Sequence, residues 1–403
     1  MNICFVRSLV LVWLERFCFF LFTLVFALFF CDVLFWSVGN YKTLLYLSVL
    51  FGIFTLFFRK NREHVPLIGR DEFLVLSCVS LTVILSLVFV STAYVRKDYV
   101  QHGLYFLLIV LFFWYWLESS PPQVKLLAFK ILLFVVSLFA LYQWYGVIFV
   151  NEKLGFFKNP HYLANFCILA SMILAAGIFR FKGSLPRLFI GLILVVVFYL
   201  LLKTQSRPAW LSVFFILSIC LMSFVRGPKL ILGGGVLLIL PLALYVVFPA
   251  LFGERLMQLI LHITTEERVE IWADSLAFLS EMPLNHLVFG YGPGSSQSIL
   301  VEYFEKMHPG IEFPHNFFIE LVIELGLLGL ALWCFAFLVF FKLMFESSKG
   351  GRPYCDYSVI VFAGAASLFV FSFLVFPFYS RDVVLFQAPL WAVAFWLKEA
   401  DSA

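Results

Sequence analysis

Apolar residues fill this chain in runs far longer than the 3.6-residue stripe of an amphipathic helix or the two-residue alternation of a half-buried strand. Twelve such runs are readable, at about 17–36, 42–58, 73–93, 103–117, 125–149, 162–179, 187–202, 209–225, 229–251, 315–341, 357–377 and 383–397. Most approach the roughly 20 residues that cross a bilayer as helix. Short polar or Pro/Gly-rich segments separate them: RKNRE at 59–63, ESSPP at 118–122, RFKGSLPR at 180–187, VRGPK at 225–229 and SSKGGRP at 347–353. These runs are too long and continuous for barrel strands, so the pattern predicts an all-α polytopic membrane protein of about twelve transmembrane helices. The first run is too long for the core of a cleaved leader and lacks a small-residue cleavage site, which makes it a first span.

One polar segment breaks the pattern. Residues 252–314 form a single long loop, dividing the chain into spans 1–9 over 1–251, the loop over 252–314, and spans 10–12 over 315–403. Within the loop, Thr264 and Glu267 have the spacing of a capping box. Arg268, Trp272, Ser275 and Leu279 then recur on one helical face. Pro283 ends that helix, a Gly/Pro-rich turn follows at FGYGPGSSQS (289–298), and a second short helix is expected near Ser298–Met307.

Composition strengthens this picture. The chain is 63% hydrophobic and 13% charged, with mean hydropathy +1.01, more apolar surface than a soluble fold of 403 residues can hide. Placing the N-terminus in the cytoplasm leaves 16 Lys and Arg in the inner segments and 8 in the short outer ones. That bias predicts cytoplasmic termini and an extracytoplasmic 252–314 loop. The net charge of +4 gives no reason to expect nucleic acid. None of the eight cysteines lies in the loop and no CxxC occurs, which argues against a disulfide framework or a zinc site.

Candidate chemistry gathers on the outer side. Arg207 in KTQSRPAW (203–210), Arg268 in the loop helix and Arg381 in FYSRD (378–382) are distant in sequence but share one face in this topology. Guanidinium groups present forked donors that match phosphate oxygens, so two or three of them could grip a diphosphate. Interfacial snorkelling or pairing with a carboxylate is the competing reading. The loop holds nine acidic residues against Arg255, Arg268 and Lys306, a net of −6, so any phosphate grip must be local. His315 follows Pro314 at a helix entry, where an imidazole can accept a proton from an attacking hydroxyl or serve as a cap. His262, His286 and His308 are weaker candidates. Glu324 lies half a turn from His315 and is not an obvious orienting partner for it. No DxD pair, metal-spaced cluster, Walker loop or GxGxxG suggests a metal or nucleotide.

Four segments together resemble the O-antigen ligase/polymerase family, polytopic glycosyltransferases of the bacterial inner membrane, and most closely its lipopolysaccharide ligases. TQSRPAWL (204–211) is similar to the family's T-x-S/T-R segment. ERVEIWADSLAFLSEMPLNHLVFGYGPG (267–294) is similar to its R-x-x-x-W, P-L and G-x-G-P-G run. HNFFIELVIELGLLG (315–329) matches its H-N-x-x-x-E-x-x-x-E-x-G-x-x-G helix. GFFKNPHYLANF (155–166) resembles its G-x-F-x-N-P-N segment, with His161 standing where a polar residue is usual.

The resemblance implies transfer of O-antigen glycan from undecaprenyl diphosphate to lipid A–core on the periplasmic face, without metal or cofactor. It implies catalytic roles for His315, Arg207 and Arg268. Arg381, Lys203, Gln205, Trp272 and Asn316 are the expected substrate contacts. The expected partners are the lipid-linked donor, the lipid A–core acceptor and membrane lipids. A polymerase that lengthens carrier-linked glycan, or a protein O-glycosyltransferase, shares these motifs. A transporter would favour repeated halves and polar sites at mid-membrane, and neither is seen in the sequence.

Overall fold

A computed structural model describes residues 16–25, 41–58, 70–88, 97–151, 155–157, 160–224, 267–304, 314–347, 355–375 and 381–402. Among them every regular element is a helix. In chain order these are α1 (Arg16–Val25), α2 (Tyr41–Phe58), α3 (Arg70–Val88), α4 (Lys97–Ser119), α5 (Pro122–Phe149), α6 (Pro160–Arg180) and α7 (Ser184–Lys203). After them come α8 (Arg207–Phe224), α9 (Glu267–Glu281), α10 (Leu284–Phe289), α11 (Ser295–Phe304), α12 (Phe317–Ser347), α13 (Cys355–Val375) and α14 (Arg381–Ser402).

The long helices coincide with ten of the apolar runs read from sequence. Five of them, α4, α5, α6, α7 and α12, are long and apolar enough to cross a bilayer. The expected span at 229–251, the last part of the first span and the capping residue Thr264 lie outside the described residues. Twelve spans therefore remain an expectation.

The outward faces show why these helices belong in lipid. On α5, Leu127, Ile131, Phe134 and Leu138 are exposed at helical spacing; on α7, Leu185, Leu188, Leu192 and Val195 repeat the pattern. A soluble helix would place polar residues there. Three buried hydroxyls are satisfied within their own helices: Ser137, Ser171 and Ser212 each donate to the carbonyl four residues back. That pairing suits a medium without water.

The interior is aromatic. Trp391 of α14 stacks on Phe340 of α12 (centroids 4.5 Å, 15° between planes) and meets Phe106 of α4 edge-on at 5.4 Å. Phe317, Phe337 and Phe341 of α12 all contact the ring of Phe369 on α13. These rings hold α4, α12, α13 and α14 together. At the far end of α12, Lys342 and Lys398 meet Asp71 and Glu72 of α3, with Lys398 Nζ 2.8 Å from the buried Glu72 carboxylate.

Helix α12 is not continuous. Gly326 has φ +68° and ψ −176°, breaking the helix after its first turns. An unbroken helix would pair the carbonyls of Ile323 and Glu324 with the amides four residues on. Here they accept instead from Tyr291 N (2.9 Å) and Gly292 N (2.8 Å). The Gly-rich turn is thus inserted at the break, and residues 292–296 are buried there. Gly290 and Gly326 each lie against the other segment's backbone. A Cβ on Gly290 would collide with the Glu324 carbonyl, and one on Gly326 with the Val288 carbonyl. The Gly-rich turn of the 252–314 loop is thus anchored on α12.

Candidate active site

Three helix starts and one loop helix come together at the other end of α12. Helix α8 begins after the turn Thr204-Gln205-Ser206. The Thr204 hydroxyl donates to Leu201 O (2.7 Å) and accepts from Ser206 N (3.2 Å), and Trp210 Nε1 donates back to Leu201 O (3.2 Å). Ser206 O accepts the amides of Ala209 and Trp210, which makes Ser206 the residue that opens α8. With its backbone so fixed, Ser206 is buried and sets its Oγ 3.4 Å from His161 Nδ1 at the start of α6.

The segment leading into α6 is held as firmly. Gly155 adopts φ +56° against Gln143, whose buried side-chain oxygen accepts the amide of Phe156 (3.1 Å). The Phe156 ring stacks on Tyr142 at 4.1 Å.

Helix α12 starts from Asn316. Its Oδ1 accepts the amides of Phe318 (3.0 Å) and Ile319 (3.3 Å), so capping is the work of Asn316 and not of His315. The side-chain oxygen of Asn316 is thereby engaged, leaving its amide as the group a ligand could use. Gln205 (φ +52°) and His315 (φ +51°) are the two non-glycine residues with left-handed backbone among the described residues. Such conformations cost roughly 1–3 kcal/mol each and cluster at functional sites. Both residues were singled out from sequence.

Helix α9 supplies Arg268. The face expected from spacing is present: Ile271 and Ser275 are buried, while Arg268, Trp272 and Leu279 are half-buried. Ile271 packs with Leu300 of α11 and with Ile319 and Ile323 of α12, joined by Trp272, Leu279 and Tyr291. This small core docks α9 on the first turns of α12. It brings the Arg268 guanidinium within electrostatic reach of both His315 and His161. The indole Nε1 of Trp272 is buried with no hydrogen-bond partner among the described residues.

The electrostatics decide the state of His315. Burial first, then the Arg268 guanidinium and His161, lower its pKa to about 4. At neutral pH the imidazole is uncharged and able to accept a proton.

The remaining sequence candidates are placed as follows. Lys203 ends α7 with Nζ 5.8 Å from the centroid of the Tyr199 ring. Arg207 opens α8 and Arg381 opens α14, but the positions of those two side chains fall outside what is described. Glu324 is fully buried and accepts a hydrogen bond from Ser296 Oγ (2.6 Å), so it serves the loop and not His315. His286 stacks on Tyr291 at 4.0 Å within the Gly-rich turn. Among the described residues no three His, Cys, Asp or Glu side chains stand together as a metal site would need. The site residues not chosen from sequence are His161 and Ser206. Both lay in segments already noted, but their pairing joins positions 45 residues apart and has no periodic signature.

A helical membrane bundle that sets a guanidinium beside a neutral imidazole is suited to an anionic, lipid-borne substrate. Residues 191–334 match the family model described as O-antigen ligase, a similarity that supports the O-antigen ligase/polymerase superfamily and glycosyl transfer in general. The matched stretch contains Arg207, Arg268, Trp272 and His315; His161 and Arg381 lie outside it. No curated protein matches the chain.

Proposed function

We propose that the protein transfers O-antigen glycan from undecaprenyl diphosphate to lipid A–core at the periplasmic face of the bacterial inner membrane, with both termini in the cytoplasm and about twelve spans. The observation that carries this reading is that Arg268 of α9 lies within electrostatic reach of a neutral His315 and of His161, at the starts of α12 and α6. Helix N-termini favour anions, and Arg268 adds a full charge where a diphosphate would sit.

In the proposed step His315 takes the proton of an acceptor hydroxyl, and the oxygen attacks the anomeric carbon. The bond from that carbon to the diphosphate oxygen breaks as the new glycosidic bond forms, with inversion. The electron pair leaves on the polyprenyl diphosphate, where Arg268 and Arg207 stabilise the charge. The leaving group is already activated, so the step needs neither nucleotide nor metal. Lys203, Gln205, Trp272, Asn316 and Arg381 are assigned to holding the donor and acceptor.

The acceptor is tested by supplying purified protein with a polyprenyl-diphosphate glycan, with and without lipid A–core. Label on lipid A–core supports the ligase. Longer carrier-linked chains formed without lipid A–core would make the enzyme a polymerase, and label only on added protein a protein glycosyltransferase. Glycan-lipid flux across proteoliposomes with no transfer would sink the enzymatic reading altogether.

A further inference from the structure

His161 has no part in the step above, yet it sits at the centre of the site. Its ring lies within electrostatic reach of both Arg268 and His315. Its Nδ1 edge faces Ser206 Oγ at 3.4 Å, and its ring lies 6.4 Å, centroid to centroid, from that of Phe371 on α13. The Ser206 backbone is held, its amide and carbonyl both tied into the turn that starts α8. One edge of the imidazole therefore faces a protein hydroxyl. The two nitrogens of a neutral imidazole have opposite roles. In the tautomer that accepts from the Ser206 hydroxyl at Nδ1, the proton sits on Nε2, at the opposite edge.

We infer that His161 is a diphosphate-binding residue: with Nδ1 held by Ser206 Oγ, it presents Nε2–H as a neutral donor to a phosphate oxygen of the lipid-diphosphate donor, beside Arg268. This rests on the functional reading above and adds a residue to it. Ser206 is the positioning residue, engaging the ring at its Nδ1 edge. A neutral donor suits this position. A second full cation next to Arg268 would have to overcome repulsion before substrate arrives, whereas an uncharged N–H adds a hydrogen bond at no such cost.

The test uses the full chain purified in detergent at pH 7.5, with inorganic pyrophosphate as the probe, read by calorimetric binding and by inhibition of transfer. The variants are His161→Phe, His161→Gln, His161→Asn and Ser206→Ala. Phenylalanine keeps the packing against Phe371 and removes both nitrogens. Glutamine places its amide N–H near the Nε2 position, while asparagine places it near Nδ1. Pyrophosphate affinity should fall on the order of tenfold or more in H161F, as for loss of a hydrogen bond to a charged group. It should stay within about threefold in H161Q, fall in H161N, and fall by a smaller factor in S206A through loss of the contact that orients the ring.

Wild-type affinity in H161F, or better retention in H161N than in H161Q, overturns the inference and leaves the glycosyl-transfer reading untouched. If wild-type protein does not bind pyrophosphate, the inference also falls. Transfer from the intact lipid-linked donor, measured on the same preparation, then judges the functional reading separately.

Discussion

His315 combines two features that a capping histidine would not need: a left-handed backbone, and an imidazole kept neutral by burial and by Arg268. Replacing it with alanine should lower kcat by about 10²–10⁴-fold, the usual contribution of a positioned acid–base group, with little change in donor affinity. The pH dependence has a definite sign. Protonated imidazole cannot accept a proton, and the His315 pKa of about 4 keeps the neutral form dominant from pH 5 upward. In kcat/KM, which reports the free enzyme, no loss of activity is expected as pH falls from 8 to 5. An inflection near 6.5, the ordinary histidine value, would contradict this environment. Arg268→Ala should cost on the order of 10²-fold in kcat/KM, and Arg268→Lys less, because lysine keeps the charge and loses the fork. Arg268 was legible in sequence because Arg268, Trp272, Ser275 and Leu279 share a helical face that does not depend on tertiary structure. His161 was not, because its role comes from Ser206, which only the packing of α6 beside α8 brings near.

The break in α12 and the Gly-rich turn form one unit at the level of elements. Gly290 and Gly326 both have positive φ, and each lies on the other's backbone. Gly326→Ala should destabilise the fold by at least about 1–3 kcal/mol from the backbone conformation alone. The collision with Val288 adds to that, and a thermal scan in detergent will read the sum. Ser296→Ala removes the hydrogen bond to the buried Glu324 and should cost about 1–3 kcal/mol in the same scan. An unchanged melting midpoint in both variants would show that the turn is not anchored as described. The sequence revealed the helix, the turn and the stop at Pro283, since proline and glycine signal locally. It did not reveal that the turn enters the bundle. Hydropathy marks 252–314 as polar on average and cannot show that the amides of Tyr291 and Gly292 satisfy carbonyls freed by a distant glycine.

At the scale of the molecule, the proposed site lies at one end of α12 and a charged clasp at the other. Lys398→Ala would leave the Glu72 carboxylate buried without its cation. The cost should fall below the roughly 3–5 kcal/mol of a fully buried pair, because the ammonium is partly exposed, and donor KM should not change. A shift in KM would mean that the two ends are coupled. Ten of the apolar runs lie on helices because lipid-facing and core-facing positions are both apolar, which makes length the dominant signal. Orientation and the span at 229–251 rest on charge and hydropathy alone. The central claim is that an uncharged His315 beside Arg268 drives glycan transfer from a lipid diphosphate. The most direct measurement is the single-turnover rate of transfer from polyprenyl-diphosphate glycan to lipid A–core by wild-type protein and His315→Ala, at saturating donor and pH 7. The account predicts a fall of at least about 10² with the variant still folded and still binding donor. A folded variant that transfers glycan at the wild-type rate would contradict it.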